Sequence, residues 1–166
     1  MNTFRFLNNA GGWVVFLISA AAYIVTVEPT VSFWDCGEFI LSAFKMQVGH
    51  PPGAPLFLIV ARFFTLFAGG DTSKVALTVN IMSALASAFT VMFLFWTITH
   101  MVRKVFTENR EPARENWFAI LAAGLVGSLG YAFTDTFWFS AVEGEDYATS
   151  SLITAVVFWA MLSWDV

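Results

Sequence analysis

Four long stretches of the sequence contain no charged residue, and all of the charges lie in the segments before, between and after them. The stretches cover residues 10–27, 75–99, 116–134 and 147–164. A helix of about 20 apolar residues crosses the roughly 30 Å hydrocarbon core of a bilayer. Because lipid offers the backbone no hydrogen-bond partners, such segments must be helical. The pattern therefore predicts an all-α polytopic membrane protein with about four transmembrane helices.

Composition supports this prediction over the alternative of buried helices in a soluble core. Hydrophobic residues make up 58% of the chain and charged residues only 12%, whereas soluble domains carry about 25% charged residues. The first stretch could also be a cleaved signal peptide, but its apolar residues continue past the small-residue run at 20–22. The net charge of −4 gives no basic excess, so no nucleic-acid partner is predicted.

A fifth apolar stretch, residues 54–68, is too short to be a clear span and has Arg62 in its middle. Segments of this length more often lie in the membrane interface, and a central arginine costs about 2.5–3.5 kcal/mol on insertion scales. We therefore expect this stretch to form an interfacial helix rather than to cross the membrane. The alternative, a fifth span, stays open at this point.

The distribution of basic residues decides the orientation. The connector 100–115 holds four arginines and lysines, and the positive-inside rule places it in the cytoplasm. If 54–68 does not span, Arg5 lies on the same side and the N-terminus is cytoplasmic. Residues 28–74 then form a first outer loop, and residues 135–146 form a second, acidic outer loop.

The first outer loop carries the candidate chemistry. Asp35 and Glu38 are three residues apart, which fits one face of a helix from about residue 35 to 47. One interpretation is an interfacial helix with acids in its first turn. The other is that Asp35 is a general base, partly desolvated by Phe33 and Trp34, with Glu38 orienting its partner.

Two basic groups of the same loop could meet a phosphate. His50, beside a Pro-Pro-Gly sequence, offers a hydrogen-bond donor, although a lone loop histidine is often only a polar surface residue. Arg62 could bind a lipid-linked phosphate, or it could extend its charged end toward lipid head groups.

The second outer loop places Glu143 and Glu145 directly before the fourth span. They form either a solvated acidic loop or a set of acids that faces the helices. Acids from both loops could meet and hold a metal through oxygen ligands, but no spacing here is diagnostic. We therefore assign no metal site, and dependence on a divalent metal stays open.

The first loop also resembles a known family. Its pattern is an Asp, then Gly-Glu-Phe, then His-Pro-Pro-Gly and a following Pro-Leu, and this is similar to the protein O-mannosyltransferase-like membrane family. That family was long catalogued as a domain of unknown function and belongs to the GT-C glycosyltransferase superfamily. Segments 79–85 and 141–148 resemble the family downstream, except that Asp146 stands where an apolar residue is usual. The matching first-loop positions are Asp35, Gly37, Glu38, Phe39, His50, Pro51, Pro52, Gly53, Pro55 and Leu56.

The resemblance implies a glycosyltransferase that moves a mannose-like sugar from a polyprenyl-phosphate donor to a hydroxyl of an exported protein, with inversion. It implies Asp35 as catalytic base with Glu38 beside it, and interfacial helices in the first loop. Substrate-binding residues would be His50, Arg62, Glu143 and Glu145. No cofactor is implied beyond the lipid-linked donor.

The resemblance also implies an N-terminal transmembrane module, residues 1–166, of a longer enzyme, and this part alone need not be active. Its expected location is a bacterial inner membrane, with the active site on the outer face. Two other classes stay open: a transporter or channel-like module, and a non-catalytic membrane scaffold. A transporter would place charges near the bilayer midplane, and a scaffold gives no role to Asp35.

Overall fold

The structure is a computed structural model, and it describes residues 3–51, 53–107 and 112–164. This part of the chain folds into α-helices, without a strand, which confirms the all-α prediction. Four helices match the four uncharged stretches, and three shorter ones lie in the two predicted outer loops. In chain order the helices are α1 (Thr3–Val25), α2 (Cys36–Lys45), α3 (Pro55–Thr65), α4 (Val75–Thr107), α5 (Trp117–Ala132), α6 (Asp135–Ala141) and α7 (Asp146–Trp164).

Within the described residues, three helices are long and apolar enough to cross a membrane: α1, α4 with the turn before it, and α7. The pair α5 and α6 passes the same test together but is bent by 69° at residues 133–134, so it counts as a fourth span only if the bent pair is one span. The prediction of about four spans is confirmed within this range.

The predicted connectors are more helical than expected. Helix α6 occupies the first half of the second outer loop, because its apolar residues Phe137 and Ala141 are buried against the other helices. Helix α4 continues to Thr107 and includes Arg103 and Lys104 of the basic connector. Residues 108–111 of that connector lie outside the described residues.

The long helices pack closely through small and aromatic residues. Val15 of α1 and Phe95 of α4 lie in one buried cluster, and the Tyr23 hydroxyl of α1 donates to the Ala132 carbonyl of α5 at 2.8 Å. Gly124 of α5 lies so close to α4 that an added Cβ would be 2.5 Å from Thr99 Cγ2. Small residues of this kind let membrane helices approach each other.

The two first-loop helices pack on each other and on the beginning of α4. Their buried contact includes Ile40 of α2, Phe57 and Ala61 of α3, and Val79 and Met82 of α4. Helix α3 begins with a proline in its first turn, where the missing N–H costs nothing. Its 11 residues are only about 16 Å long at 1.5 Å per residue, which supports the expectation that 54–68 does not cross the bilayer.

Candidate functional site

The segment between α1 and α2 is held across the first turns of α4 by buried hydrogen bonds. The Asn80 amide nitrogen donates to the carbonyls of Glu28 at 2.6 Å and Thr30 at 2.9 Å. The Glu28 backbone N–H donates to the Val142 carbonyl at 3.1 Å, just after α6. Asn80 therefore holds the first outer loop on α4, and the backbone of Glu28 joins that loop to the second one. The sequence analysis gave Asn80 no role. A primary amide within an apolar span is nevertheless unusual, and this feature could have singled it out.

Asp35 lies at the N-terminal end of α2, as predicted, but its side chain does not cap the helix. Its backbone carbonyl accepts the first helical hydrogen bond, from Phe39, and its carboxylate makes no capping bond. Trp34 before it has φ 59°, in the left-handed region that bulky residues rarely adopt. The Asp35 side chain is 62% exposed, and Phe33 and Trp34 are themselves exposed. The expected covering of Asp35 by these rings is therefore not seen within the described chain.

His50 is bound back onto α2 by Glu38. The Glu38 carboxylate accepts one hydrogen bond from the His50 backbone at 2.6 Å, and its other oxygen lies 3.1 Å from His50 Nδ1. These contacts lower the pKa of Glu38, the backbone bond most. The side-chain hydrogen bond and the charge of Glu38 raise the pKa of His50. The arrangement favours an imidazolium next to a carboxylate.

The other ring nitrogen of His50 faces Asp35. His50 Nε2 lies 4.0 Å from Asp35 Oδ2, so the three side chains stand in the order Asp35, His50, Glu38. One ligand atom from each lies within 4.8 Å of the others. Carboxylate and imidazole donors at this separation could hold a divalent cation, and the prediction of no metal site stays untested.

Glu143 and Glu145 are buried, with 3% and 7% of their surfaces exposed. Neither side chain has a hydrogen-bond or ion-pair partner within the described residues. Burial raises the pKa of Glu145, and the negative charges of Glu143, Asp35 and Asp146 raise it further. Of the two interpretations from sequence, the structure favours acids that face the protein over a solvated loop.

Cys36 and Gly144 lie where the start of α2 contacts the segment that carries Glu143 and Glu145. The Cys36 thiol is buried and lies beside the backbone of Ser32 and Gly144. Gly144 packs so tightly that an added Cβ would be 2.8 Å from Asn80 Oδ1 and 3.2 Å from Ile40 Cγ1. The start of α2 thus lies directly against the segment that carries the buried glutamates. We call the whole set the acidic cluster: Asp35, Glu38, His50, Glu143, Glu145 and Asp146.

Arg62 has its contacts elsewhere in the first loop. Its Nη1 donates to the Phe44 carbonyl at 2.8 Å and to Thr65 Oγ1 at 3.2 Å, and the guanidinium lies over the Phe44 ring. It therefore satisfies a carbonyl at the C-terminal end of α2. The structure does not bring Arg62 into the acidic cluster, and its role toward a phosphate stays a prediction.

The fold and the site define an all-α polytopic membrane protein with carboxylates and a histidine gathered at one end of its helices. The chain belongs to the family described as the protein O-mannosyl-transferase TMEM260 N-terminal domain, whose model matches residues 35–166. The matched region begins at Asp35 and contains the complete acidic cluster. The resemblance seen in the first-loop motif is therefore confirmed.

Two relatives carry the same description. The chain is 25% identical over 146 residues to the protein O-mannosyl-transferase tmem260 of Dictyostelium discoideum, covering 88% of this chain and 16% of that protein. It is 28% identical over 148 residues to the protein O-mannosyl-transferase TMEM260 of Mus musculus, covering 89% and 18%. The chain thus spans less than a fifth of the length of these relatives. No solved structure matches it.

Proposed function

We propose that the complete protein is a membrane glycosyltransferase that moves a mannose-like sugar from a polyprenyl-phosphate donor to a hydroxyl of an exported protein, with the reaction at the acidic cluster. The observation that carries this proposal is the convergence of Asp35, His50 and the buried Glu145 at one end of the helices. The names of the two relatives support the class of reaction.

In the proposed reaction, the acceptor hydroxyl oxygen attacks the anomeric carbon from the face opposite the phosphate. Asp35 takes the hydroxyl proton as the new bond forms, and the bond to the phosphate oxygen breaks with its electron pair. A single displacement inverts the anomeric configuration. Asp35 suits this role because its carboxylate is accessible and is not used as a helix cap. General-base catalysis of this kind contributes about 10²–10⁴-fold.

The charge on the departing phosphate needs cations near the base. His50 supplies one when it is protonated, and its hydrogen bonds to Glu38 favour that form. Arg62 has further N–H groups besides the nitrogen that contacts Phe44 and Thr65, so it can also meet a phosphate near α2. Glu143 and Glu145 are proposed to accept hydrogen bonds from sugar hydroxyls.

Orientation follows from charge. The basic ends of α1 and α4 face the cytoplasm by the positive-inside rule, so the acidic cluster lies at the outer face, where an exported acceptor can reach it. The position of the acids at helix ends favours this function over a transporter, whose charges lie near the midplane. A bacterial inner membrane stays our prediction for the location.

The test is Asp35→Asn in the complete protein, assayed by transfer of labelled sugar from polyprenyl phosphate to an acceptor peptide. This change keeps the shape of the side chain but removes the base, so turnover should fall by about 10²-fold or more. Donor binding and detergent-solubilised melting should stay close to those of the wild type. The matched control is Asp71→Asn, an exposed carboxylate bound to Ser73 and Lys74 outside the cluster. Turnover within a few-fold of wild type for Asp35→Asn would refute this role.

A further inference from the structure

A separate cavity of about 340 Å³ lies at the opposite end of the helices from the acidic cluster. It is formed by the first turns of α1 and the last turns of α4 and α7. Its volume is at the lower end of the range of small-molecule sites, roughly 300–1,000 Å³. Its walls combine aromatic, amide and basic side chains, among them Asn8, Trp13, Trp96, His100, Arg103 and Trp159.

Asn8 lines the cavity and has an unused hydrogen-bond acceptor. Its side-chain oxygen is buried and has no hydrogen-bond partner, whereas its backbone carbonyl accepts from Trp96 Nε1 at 3.3 Å. A buried acceptor without a donor is costly, and most such groups in proteins are paired. A ligand that brings an N–H or O–H donor to this oxygen would supply the missing hydrogen bond.

Charge at the same end of the molecule indicates what else the ligand carries. Arg103 lines the cavity, and His100 beside it offers a ring nitrogen as a hydrogen-bonding group. Arg5, Lys104 and Arg114 lie at the same ends of α1, α4 and α5. Guanidinium and imidazole donors match the oxygens of a phosphate. The expected ligand therefore has both an anionic phosphate and a hydrogen-bond donor.

The level of the cavity in the membrane points to lipid. Helix α4 has 33 residues and is about 50 Å long, so its last turns pass beyond a hydrocarbon core of roughly 30 Å. Trp13, Trp96 and Trp159 surround the cavity, and tryptophan is enriched where the core meets the head groups. A phospholipid head group is present at this level in every bilayer.

We propose that this cavity binds the head group of an amine-bearing phospholipid. The phosphate lies beside His100 and Arg103, and the ammonium donates to the Asn8 side-chain oxygen against the tryptophan rings. A tryptophan face also attracts a cation directly. This site is independent of the sugar transfer proposed at the acidic cluster.

The experiment compares two lipids that differ in whether the ammonium of the head group carries N–H donors. The complete protein is purified in detergent, loaded with phosphatidylethanolamine or phosphatidylcholine, and examined by native mass spectrometry for retained lipid. The quaternary ammonium of choline has no N–H, so phosphatidylethanolamine should be retained with about tenfold or more preference. Water-soluble glycerophosphoethanolamine is the third probe, and it should bind far more weakly than the lipid.

Three variants locate the site. Asn8→Ala should abolish the preference while leaving lipid-free melting unchanged or higher, because it removes an unpaired acceptor and keeps the backbone contact to Trp96. Arg103→Gln should lower retention of both lipids and preserve the preference. Arg114→Gln, at the same end but outside the cavity, should change neither.

Equal retention of the two lipids by the wild type would overturn the proposal, as would a preference that survives Asn8→Ala. Unchanged retention in Arg103→Gln would overturn the placement of the phosphate. If glycerophosphoethanolamine binds as tightly as the lipid, the ligand is a soluble phosphate and the lipid assignment is wrong. A loss of preference in Arg114→Gln would assign the effect to surface charge instead.

Discussion

Glu38 holds His50 at two points, through its backbone amide at 2.6 Å and through Nδ1 at 3.1 Å. This double contact turns the chain after α2 back onto the helix and directs Nε2 of His50 toward Asp35, 4.0 Å away. In the proposed site Glu38 is therefore a positioning residue, and His50 lies between it and the proposed base.

The first prediction concerns the role of Glu38. Glu38→Gln keeps an acceptor but removes the charge, so the pKa of His50 should fall toward its ordinary value. Turnover should fall by less than about tenfold, much less than in Asp35→Asn. The pKa is measured by NMR with ¹⁵N-labelled histidine, and the His50 signal is assigned by its loss in His50→Gln. An unchanged His50 titration would show that the contact to Glu38 does not form in solution.

The second prediction concerns pH. The raised pKa of His50 means that its contribution to stability is present at low pH and is lost as the pH rises through that pKa. The lowered pKa of Glu38 means that its contribution is lost as the pH falls through that pKa. The melting difference between wild type and Glu38→Gln should thus be largest between about pH 4.3 and 6.5. A difference that grows above pH 8 would contradict this.

The third prediction separates two roles of Arg62. Arg62→Ala should lower the melting temperature, because the Phe44 carbonyl loses its donor. If Arg62 also meets the donor phosphate, the same variant weakens donor binding more than acceptor binding. Arg62→Lys should restore both only in part, since lysine cannot form the planar fork of arginine. Lys45→Ala, which removes a neighbouring cation over the same ring, is the control. Normal donor affinity in Arg62→Ala would leave only the structural role.

The fourth prediction tests the packing of α5 on α4. Gly124→Ala should destabilise the protein by about 1–3 kcal/mol, because the new Cβ would be 2.5 Å from Thr99 Cγ2 and 2.9 Å from Phe95 Cε2. Gly130→Ala on the same helix meets nothing within 4 Å, and it should leave stability unchanged or raise it. Thermal unfolding in detergent compares the two. Equal melting temperatures would show that α5 packs less closely than described.

The fifth prediction tests topology with an impermeant thiol reagent added outside. Asp71→Cys and Thr136→Cys should react, because both positions are exposed in the predicted outer loops, and Ala113→Cys at the basic end should not. The native Cys36 is fully buried and can stay in place as an unreactive background. Gly144 is unsuitable for labelling, because it is buried. Labelling of Ala113→Cys from outside would reverse the orientation.

Local sequence signals predicted the helices well. The absence of charge marked the long helices, and the spacing of Asp35 and Glu38 marked α2. The short apolar stretch around Arg62 marked α3, which is shorter than the candidate spans. The bend between α5 and α6 was not predicted, because residues 133–135 hold neither glycine nor proline. It depends on the burial of α6 against the other helices, which no local pattern records.

The acidic cluster was predicted only in its parts. The sequence marked Asp35, Glu38 and His50 together because they lie in one motif. It left open whether Glu143 and Glu145 are solvated, because their burial depends on contacts with residues about 60–110 positions earlier in the chain. The Asn80 amide, the Cys36 thiol and the tight fit of Gly144 create those contacts.

The contact between Gly144 and the start of α2 has a consequence for biosynthesis. Chains emerge from the ribosome N-terminus first, so α1 to α4 are made before the segment that carries Glu143 and Glu145. A nascent chain at that stage already contains Asp35 and His50 but not the buried glutamates, and Cys36 still lacks its neighbour Gly144. The acidic cluster is therefore assembled only when α6 and the beginning of α7 reach the membrane, and a chain halted after α4 would carry the first-loop helices without the buried glutamates.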